Sequence, residues 1–293
     1  MVKMNLYESA KEQKIGSAQI KDSEQLDFND AIARNRQRKL QYPLCDDELS
    51  SYKKNGFIHL KNVFSKDEVQ QLLQASDEVQ NNSDIIQPNN IRFECFTDSE
   101  TNETKVWKAD PISDLSPVFG ALVRSRKILD PLASIYNGNE PFLFKEKLIF
   151  KPPGGRGSAL HQDYNWWQGF PESLISVMIA LDPADLTNGC THLVPGYEDG
   201  FLTKPGEFGD LEERQVRMSE AVPIMTEPGD VAIFHCYAPH FAGANNSPNI
   251  RRQIFLTYND SADGDHYQSQ RLHYEWYVTR YRDEDSKQKV FYL

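Results

Sequence analysis

The sequence predicts a mainly β protein with flanking helices, its β half an antiparallel sandwich or barrel. Beyond Pro141 short β-prone runs (FLFKEKLIF, SLISVMIAL, THLVPG, AVPIM, DVAIFH and RRQIFLTYN) alternate with Gly, Pro, Asn and Asp clusters. Helical periodicity is confined to the segment before Pro141 and to the carboxyl end. The 293 residues, 39% apolar and 26% charged with 16 Gly and 16 Pro, show no fixed-period repeat and exclude collagen-like, low-complexity and wholly disordered classes. Residues 1–42 read as a polar extension and residues 43–293 as one domain, its β core at about 141–260.

Taken in order, residues 45–79 read as helix, strand, helix. Gly56 ends the first helix, and Phe57, Ile58 and Leu60 supply β-prone residues. Ser65 with Glu68 three residues on is a capping box, opening a helix whose Val69, Leu72, Leu73 and Val79 share one face. The polar and acidic stretch at 81–103 reads as a surface loop that helps close a pocket. A helix is expected over about 117–133, burying Phe119, Leu122, Val123, Ile128, Leu129 and Leu132, and the carboxyl end reads as a closing helix with a charged tail.

With 32 Lys+Arg against 43 Asp+Glu, the net charge of −11 opposes phosphate backbones and acidic membrane surfaces, so neither nucleic acid nor membrane is an expected partner. The longest apolar run, residues 174–181, falls short of a membrane span. Cys45, Cys95, Cys190 and Cys236 form no C-x-x-C pair and read as free thiols. No secretion signal is visible, so a cytoplasmic location is the expectation. No feature of the sequence speaks to oligomeric state.

Chemistry concentrates around LHQDYNWW, where a two-residue spacing puts His161 and Asp163 on one side of an extended strand. A third ligand must come from another strand. His240, after the apolar run in DVAIFHCYAPHFAG, offers one, and His235 in the same run is its rival. Two His and one carboxylate leave three positions of an octahedral ion open, the arrangement a non-haem Fe(II) oxygenase needs for a co-substrate and dioxygen. Arg251, eleven residues after His240, returns across the hairpin GANNSPN, where its guanidinium is suited to grip a carboxylate by two parallel hydrogen bonds. A zinc or manganese hydrolase and a non-catalytic binding module are the alternatives on the same scaffold.

HQD at 161–163, NGCTHLVPGY at 188–197, PGDVAIFHCYAPHFAGANNS at 228–247, Arg251 and the earlier KNGFIHLKNVFSKDEV together resemble the phytanoyl-CoA dioxygenase-like Fe(II)/2-oxoglutarate oxygenases, over residues 44–258. The resemblance implies a double-stranded β-helix, or jelly-roll. It also implies His161, Asp163 and His240 as Fe(II) ligands, Arg251 on the distal carboxylate of 2-oxoglutarate, O2 as the second co-substrate, and ascorbate as an aid in vitro. Many relatives carry Ser two residues after the distal His, whereas this chain has Ala242, so Lys147 on the preceding strand is expected to contribute instead. Related halogenases replace the carboxylate ligand by Gly or Ala; Asp163 therefore favours hydroxylation.

The substrate expected is a small anionic or zwitterionic metabolite such as an aminophosphonate, because residues 258–277 resemble the carboxyl-terminal region of aminophosphonate hydroxylases. Lys145 and Lys147 share a strand face, so one of them is expected to point into the barrel toward an anion, with Arg92, Lys108 and Arg156 as further candidates. Trp107 and Trp167 are the expected aromatic contacts. Adjacent Trp166 and Trp167 on an extended chain would face opposite ways, leaving one in the pocket. His192 reads as a packed strand residue, and His59, His266 and His273 carry no signal.

Overall fold

The computed structural model describes residues 39–86, 90–97, 102 and 104–281. Most of the expected extension, part of the 81–103 loop and the charged tail lie outside the described residues. Helix α1 (Asp46–Asn55) opens with three acidic residues and closes with Lys53 and Lys54, charges that complement its dipole; Gly56, at φ +78°, ends it. Strand β1 (Phe57–Leu60) follows, then helix α2 (Lys66–Asn81), capped reciprocally by Ser65 and Glu68 as its sequence predicts. The segment read as one helix over 117–133 is two, α3 (Pro117–Leu122) and α4 (Arg126–Ile135). Ser125 opens the second, and the shared apolar face hides the break from a periodicity reading.

Eleven described strands build two antiparallel sheets. Seven run in the order β1, β9 (Val231–His235), β6 (Ile175–Ala180), β11 (Arg251–Asp260), β4 (Pro141–Lys151), β3 (Thr104–Ala109), β2 (Phe93–Thr97). Four run β5 (Ser158–His161), β10 (His240–Ala242), β7 (Thr191–Leu193), β8 (Val222–Ile224). The two sheets face each other as a jelly-roll, the fold the sequence implied.

Period-2 alternation sorts the larger sheet. Ile254, Leu256 and Tyr258 of β11 join Val177, Ile179, Ile233 and Leu148 in a core shared with Val69, Leu72, Phe119, Ile128 and Leu132 of the helices. On the other face Met178, Ala232 and Phe234 meet Leu193 and Ile224 of the smaller sheet. Every residue of β6 is buried because both its faces are covered, which is why ISVMIA reads as a nearly unbroken apolar run. A carboxyl-terminal helix, α5 (Tyr267–Tyr281), lies across the mouth, tied down by Tyr267 Oη donating to Glu146 at 2.9 Å and by the Arg271–Asp110 ion pair at 2.6 Å. Among the described residues no helix is long and apolar enough to cross a membrane.

The Pro228-Gly229 turn feeding β9 tests how tightly this frame is packed. Gly229 has φ +94°, and a Cβ there would sit 2.3 Å from the backbone carbonyl oxygen of Phe64, an atom that cannot swing away. Gly229→Ala is therefore expected to lower the unfolding free energy by about 2 kcal/mol or more, read as a fall in the urea midpoint at unchanged m-value.

Candidate functional site

The ligand cluster forms where β5 ends. His161 is its last residue and His240 the first of β10, and the two are direct cross-strand partners with ring centroids 4.2 Å apart. Asp163 is not on the strand, as expected from spacing alone. It opens a 3-10 turn (Asp163–Trp166), and that turn swings its carboxylate back toward the imidazoles. Asp163 Oδ1 stands 4.0 Å from His161 Nε2 and 3.8 Å from His240 Nε2, and one ligand atom from each of the three lies within 4.8 Å of the others. His235, the rival, lies outside this group; it is pushed down to about 4 by burial, and its Nδ1 accepts from the Tyr237 amide at 3.1 Å.

The surrounding hydrogen bonds set the donor set. His161 Nδ1 is 2.7 Å from the Ala159 carbonyl and His240 Nδ1 is 3.0 Å from that of Ala238; as carbonyls only accept, each Nδ1 carries the proton and each Nε2 lone pair is free. Ser176 Oγ donates to Asp163 Oδ2 at 2.7 Å and leaves Oδ1 facing the imidazoles. Burial, with the neighbouring His161, pushes His240 down to about 4, so its neutral form prevails at physiological pH. Burial alone would raise the Asp163 carboxyl, but His240, Lys147 and His161 override it and hold it below its ordinary value. Two imidazoles and one carboxylate, all aimed at a common point, suit a divalent ion such as Fe(II) or Zn(II).

The cluster opens into a cavity of about 220 Å³. Both Lys145 and Lys147 line it, rather than one of them, because both sit on the inward face of β4. Trp166 and Trp167 both line it as well. The 3-10 turn abolishes the strict alternation assumed for an extended chain, so both indoles turn inward. Trp107, an expected substrate contact, is not in the lining. Strand alternation gives the cavity its neighbour Lys108, while the Trp107 ring packs close over Gly155. Arg92 is engaged instead by Asp114 through two hydrogen bonds of 2.8 and 2.7 Å, and Arg156 does not line the cavity.

One wall escaped the sequence reading. Gln270, His273, Tyr274 and Tyr277 of α5 line the cavity, and their spacing of i, i+3, i+4, i+7 is one helix face, a signal present in QSQRLHYEWY. Tyr274 lies under the ammonium of Lys145, 4.4 Å from its ring centre. Below Lys145, Asp110 accepts from Lys145 Nζ at 2.5 Å and from Arg271 at 2.6 Å. Burial pushes the Lys145 ammonium down to about 8, Asp110 pulls against this, and the nearby Arg271, Lys108 and Lys147 cations add to the fall.

Arg251 opens β11, only 4% exposed, with NH1 donating to the Gly189 carbonyl at 3.0 Å; burial pushes it down to about 10. His192 stacks on Phe241 with ring centres 4.6 Å apart, the packed role expected of it.

The chain matches, over residues 52–253, the sequence profile of the family described as Phytanoyl-CoA dioxygenase (PhyH). It is 27% identical to a 2-aminoethylphosphonate dioxygenase of an uncultured bacterium, over 75% of this chain and 83% of that protein. It is 28% identical to a methylphosphonate hydroxylase of Gimesia maris, over 82% of this chain and 87% of that protein. Among solved structures, the apoform of EctD from S. alaskensis superposes with a TM-score of 0.65 at 24% identity, over 77% of this chain and 80% of that one, a likeness of fold.

Proposed function

Because the chain belongs to the phytanoyl-CoA dioxygenase family, we propose that His161, Asp163 and His240 hold Fe(II) in an Fe(II)/2-oxoglutarate-dependent dioxygenase that hydroxylates a C–H bond of a small anionic or zwitterionic metabolite. The observation that carries this reading is the donor set: two Nε2 atoms and one Oδ1 converge, each fixed by a hydrogen bond behind it. When bound, the iron supplies the activation of O2 that is coupled to oxidative decarboxylation of 2-oxoglutarate.

The chain's own residues supply position, charge and dryness. Ala159 and Ala238 hold the imidazoles in one tautomer, and Ser176 keeps Asp163 turned to offer Oδ1. Arg251 anchors the far carboxylate of the co-substrate. Trp166 and Trp167 wall off water beside the reacting centre. Lys108, Lys145 and Lys147 all line the cavity; Lys108 is paired with Glu94 and Lys145 shares Asp110 with Arg271, so Lys147, beside the His161–Asp163–His240 cluster, is the ammonium best placed for an anionic group. Such a lining favours an anionic substrate group, and the modest volume favours a small molecule. The names of the two relatives support a phosphonate, and the 2-aminoethylphosphonate dioxygenase supports an aminophosphonate in particular.

The enzyme incubated with Fe(II), ascorbate and 2-oxoglutarate is expected to add one oxygen to 2-aminoethylphosphonate and to release succinate in step, both read by mass spectrometry. Oxidation of an apolar terpenoid with no turnover of any phosphonate would defeat the substrate assignment. Anaerobic Fe(II) and 2-oxoglutarate giving no visible charge-transfer band, together with zinc-dependent hydrolysis, would defeat the oxygenase assignment.

A further inference from the structure

The cavity beside the ligand cluster is rich in donors, and the acceptors it has to spare lie together on α5. Among the described residues its lining holds two carboxylates, and both are engaged: Asp163 turns Oδ1 to the imidazoles and Oδ2 to Ser176, and Asp110 accepts from Lys145 and Arg271. Gln270 lines the same cavity at 1% exposure, yet its Oε1 has no hydrogen-bond partner. A buried amide oxygen left without a donor costs free energy comparable to a lost hydrogen bond, a cost that a ligand N–H removes.

His273 stands at i+3 on the same helix face. Its Nε2 lies 3.1 Å from the Trp166 carbonyl; as that oxygen only accepts, Nε2 carries the proton and Nδ1 keeps its lone pair. Burial lowers the pKa of the ring, the Trp166 carbonyl opposes the fall and Lys145 adds to it, so the neutral form prevails at physiological pH. Trp166 and Tyr277 put aromatic faces into the same wall, their ring centres 6.0 Å apart. Two uncharged acceptors beside aromatic rings are the chemistry that receives a primary ammonium. The anionic end of a ligand is drawn elsewhere. Lys147 acts on Asp163 and His240 across the cluster, and its register partner on β11 is Phe255, four residues from Arg251. It therefore belongs to the cavity and not, as expected of it, to the carboxylate at Arg251. Lys108 and Lys145 already face Glu94 and Asp110.

We propose that Gln270 and His273 form an amine subsite in this cavity, Oε1 and Nδ1 accepting from the protonated amine of a zwitterionic phosphonate whose anionic end lies against Lys147. The two side chains thereby select an amine-bearing substrate over an analogue with an apolar tail. This rests on the oxygenase reading above and deepens its substrate assignment.

The test is calorimetric binding of 2-aminoethylphosphonate and of propylphosphonate, which has a methyl group in place of the ammonium, to the full-length protein loaded with Co(II) and 2-oxoglutarate without oxygen. The wild-type protein is expected to prefer 2-aminoethylphosphonate by about 10- to 100-fold. Q270M, close in volume but lacking the amide, is expected to lose about 10-fold of that preference, and Q270M with H273F most of the remainder, with affinity for 2-aminoethylphosphonate falling much further than that for propylphosphonate. A wild-type protein that binds the two alike, or a double variant that keeps the wild-type preference, overturns this inference alone. Equal loss of both ligands in the variants also overturns it, since the damage then lies in the cavity as a whole and not in recognition of the amine. A wild-type protein that binds 2-oxoglutarate but neither phosphonate overturns the substrate reading with it, and one that binds no 2-oxoglutarate overturns the oxygenase reading as well.

Discussion

Asp163→Ala is expected to abolish 2-oxoglutarate turnover, on the order of a thousand-fold or more, because in the function proposed above the ion would lose its one anionic ligand while both imidazoles remain. The carboxylate does two things here. Its Oδ1 faces the two Nε2 atoms at 3.8 and 4.0 Å, and its Oδ2 is satisfied by Ser176 at 2.7 Å. Removing it costs the metal a ligand and leaves the buried Ser176 hydroxyl with Thr257 at 3.3 Å. Ser176→Ala separates the two contributions: the ligand remains but is free to rotate, and Co(II) affinity should fall about 10- to 100-fold with turnover restored by excess metal. Metal titration and succinate release, measured side by side, check both. An Asp163→Ala protein that keeps wild-type metal affinity and turnover would place the ion elsewhere.

The part of this site legible in the sequence is the part carried by short-range geometry. His161, Asp163 and His240 stand in local motifs, and the β half announces itself through alternation and turn residues as a sandwich or barrel; the jelly-roll and the choice of His240 over His235 come from the family resemblance those motifs carry. Even there the local picture was approximate, since Asp163 reaches the cluster from a 3-10 turn rather than along a strand, and the same turn brings in both Trp166 and Trp167. What depends on register or docking was not legible. Lys147 and Lys151 share one face of β4, and only pairing with β11 tells which of them meets Arg251. Trp107 and Lys108 are adjacent, and only the docking of β3 against β4 decides which faces the cavity. The α5 wall is plain as a helical stripe, but nothing local states that this helix lies over the mouth of the barrel.

That docking is held by the Tyr267–Glu146 hydrogen bond and by the buried Asp110, and removal of Asp110 should have the larger effect on stability. Asp110 has no exposed surface and neutralises Lys145 and Arg271 at once, with the Arg271 side chain 1% exposed. Burial works against its ionised form, but Lys145, Arg271 and Lys108 together hold its pKa well below the ordinary range. Asp110→Leu strands two buried cations facing each other, and a stranded charge costs far more than the net worth of the pair it came from. The expected loss is about 3–5 kcal/mol in urea unfolding. Because Arg271 ties α5 to the body, the cavity wall bearing His273, Tyr274 and Tyr277 should loosen first, seen as faster amide exchange across α5 at denaturant concentrations where β6 and β11 remain protected. The triple change Asp110→Leu, Lys145→Met, Arg271→Leu removes the stranded charges along with their partner and is expected to recover most of the lost stability. It should not recover activity, since Lys145 lines the cavity in which the substrate is proposed to bind. If the single and triple variants unfold at the same urea concentration, the cost lies in packing at position 110 rather than in uncompensated charge.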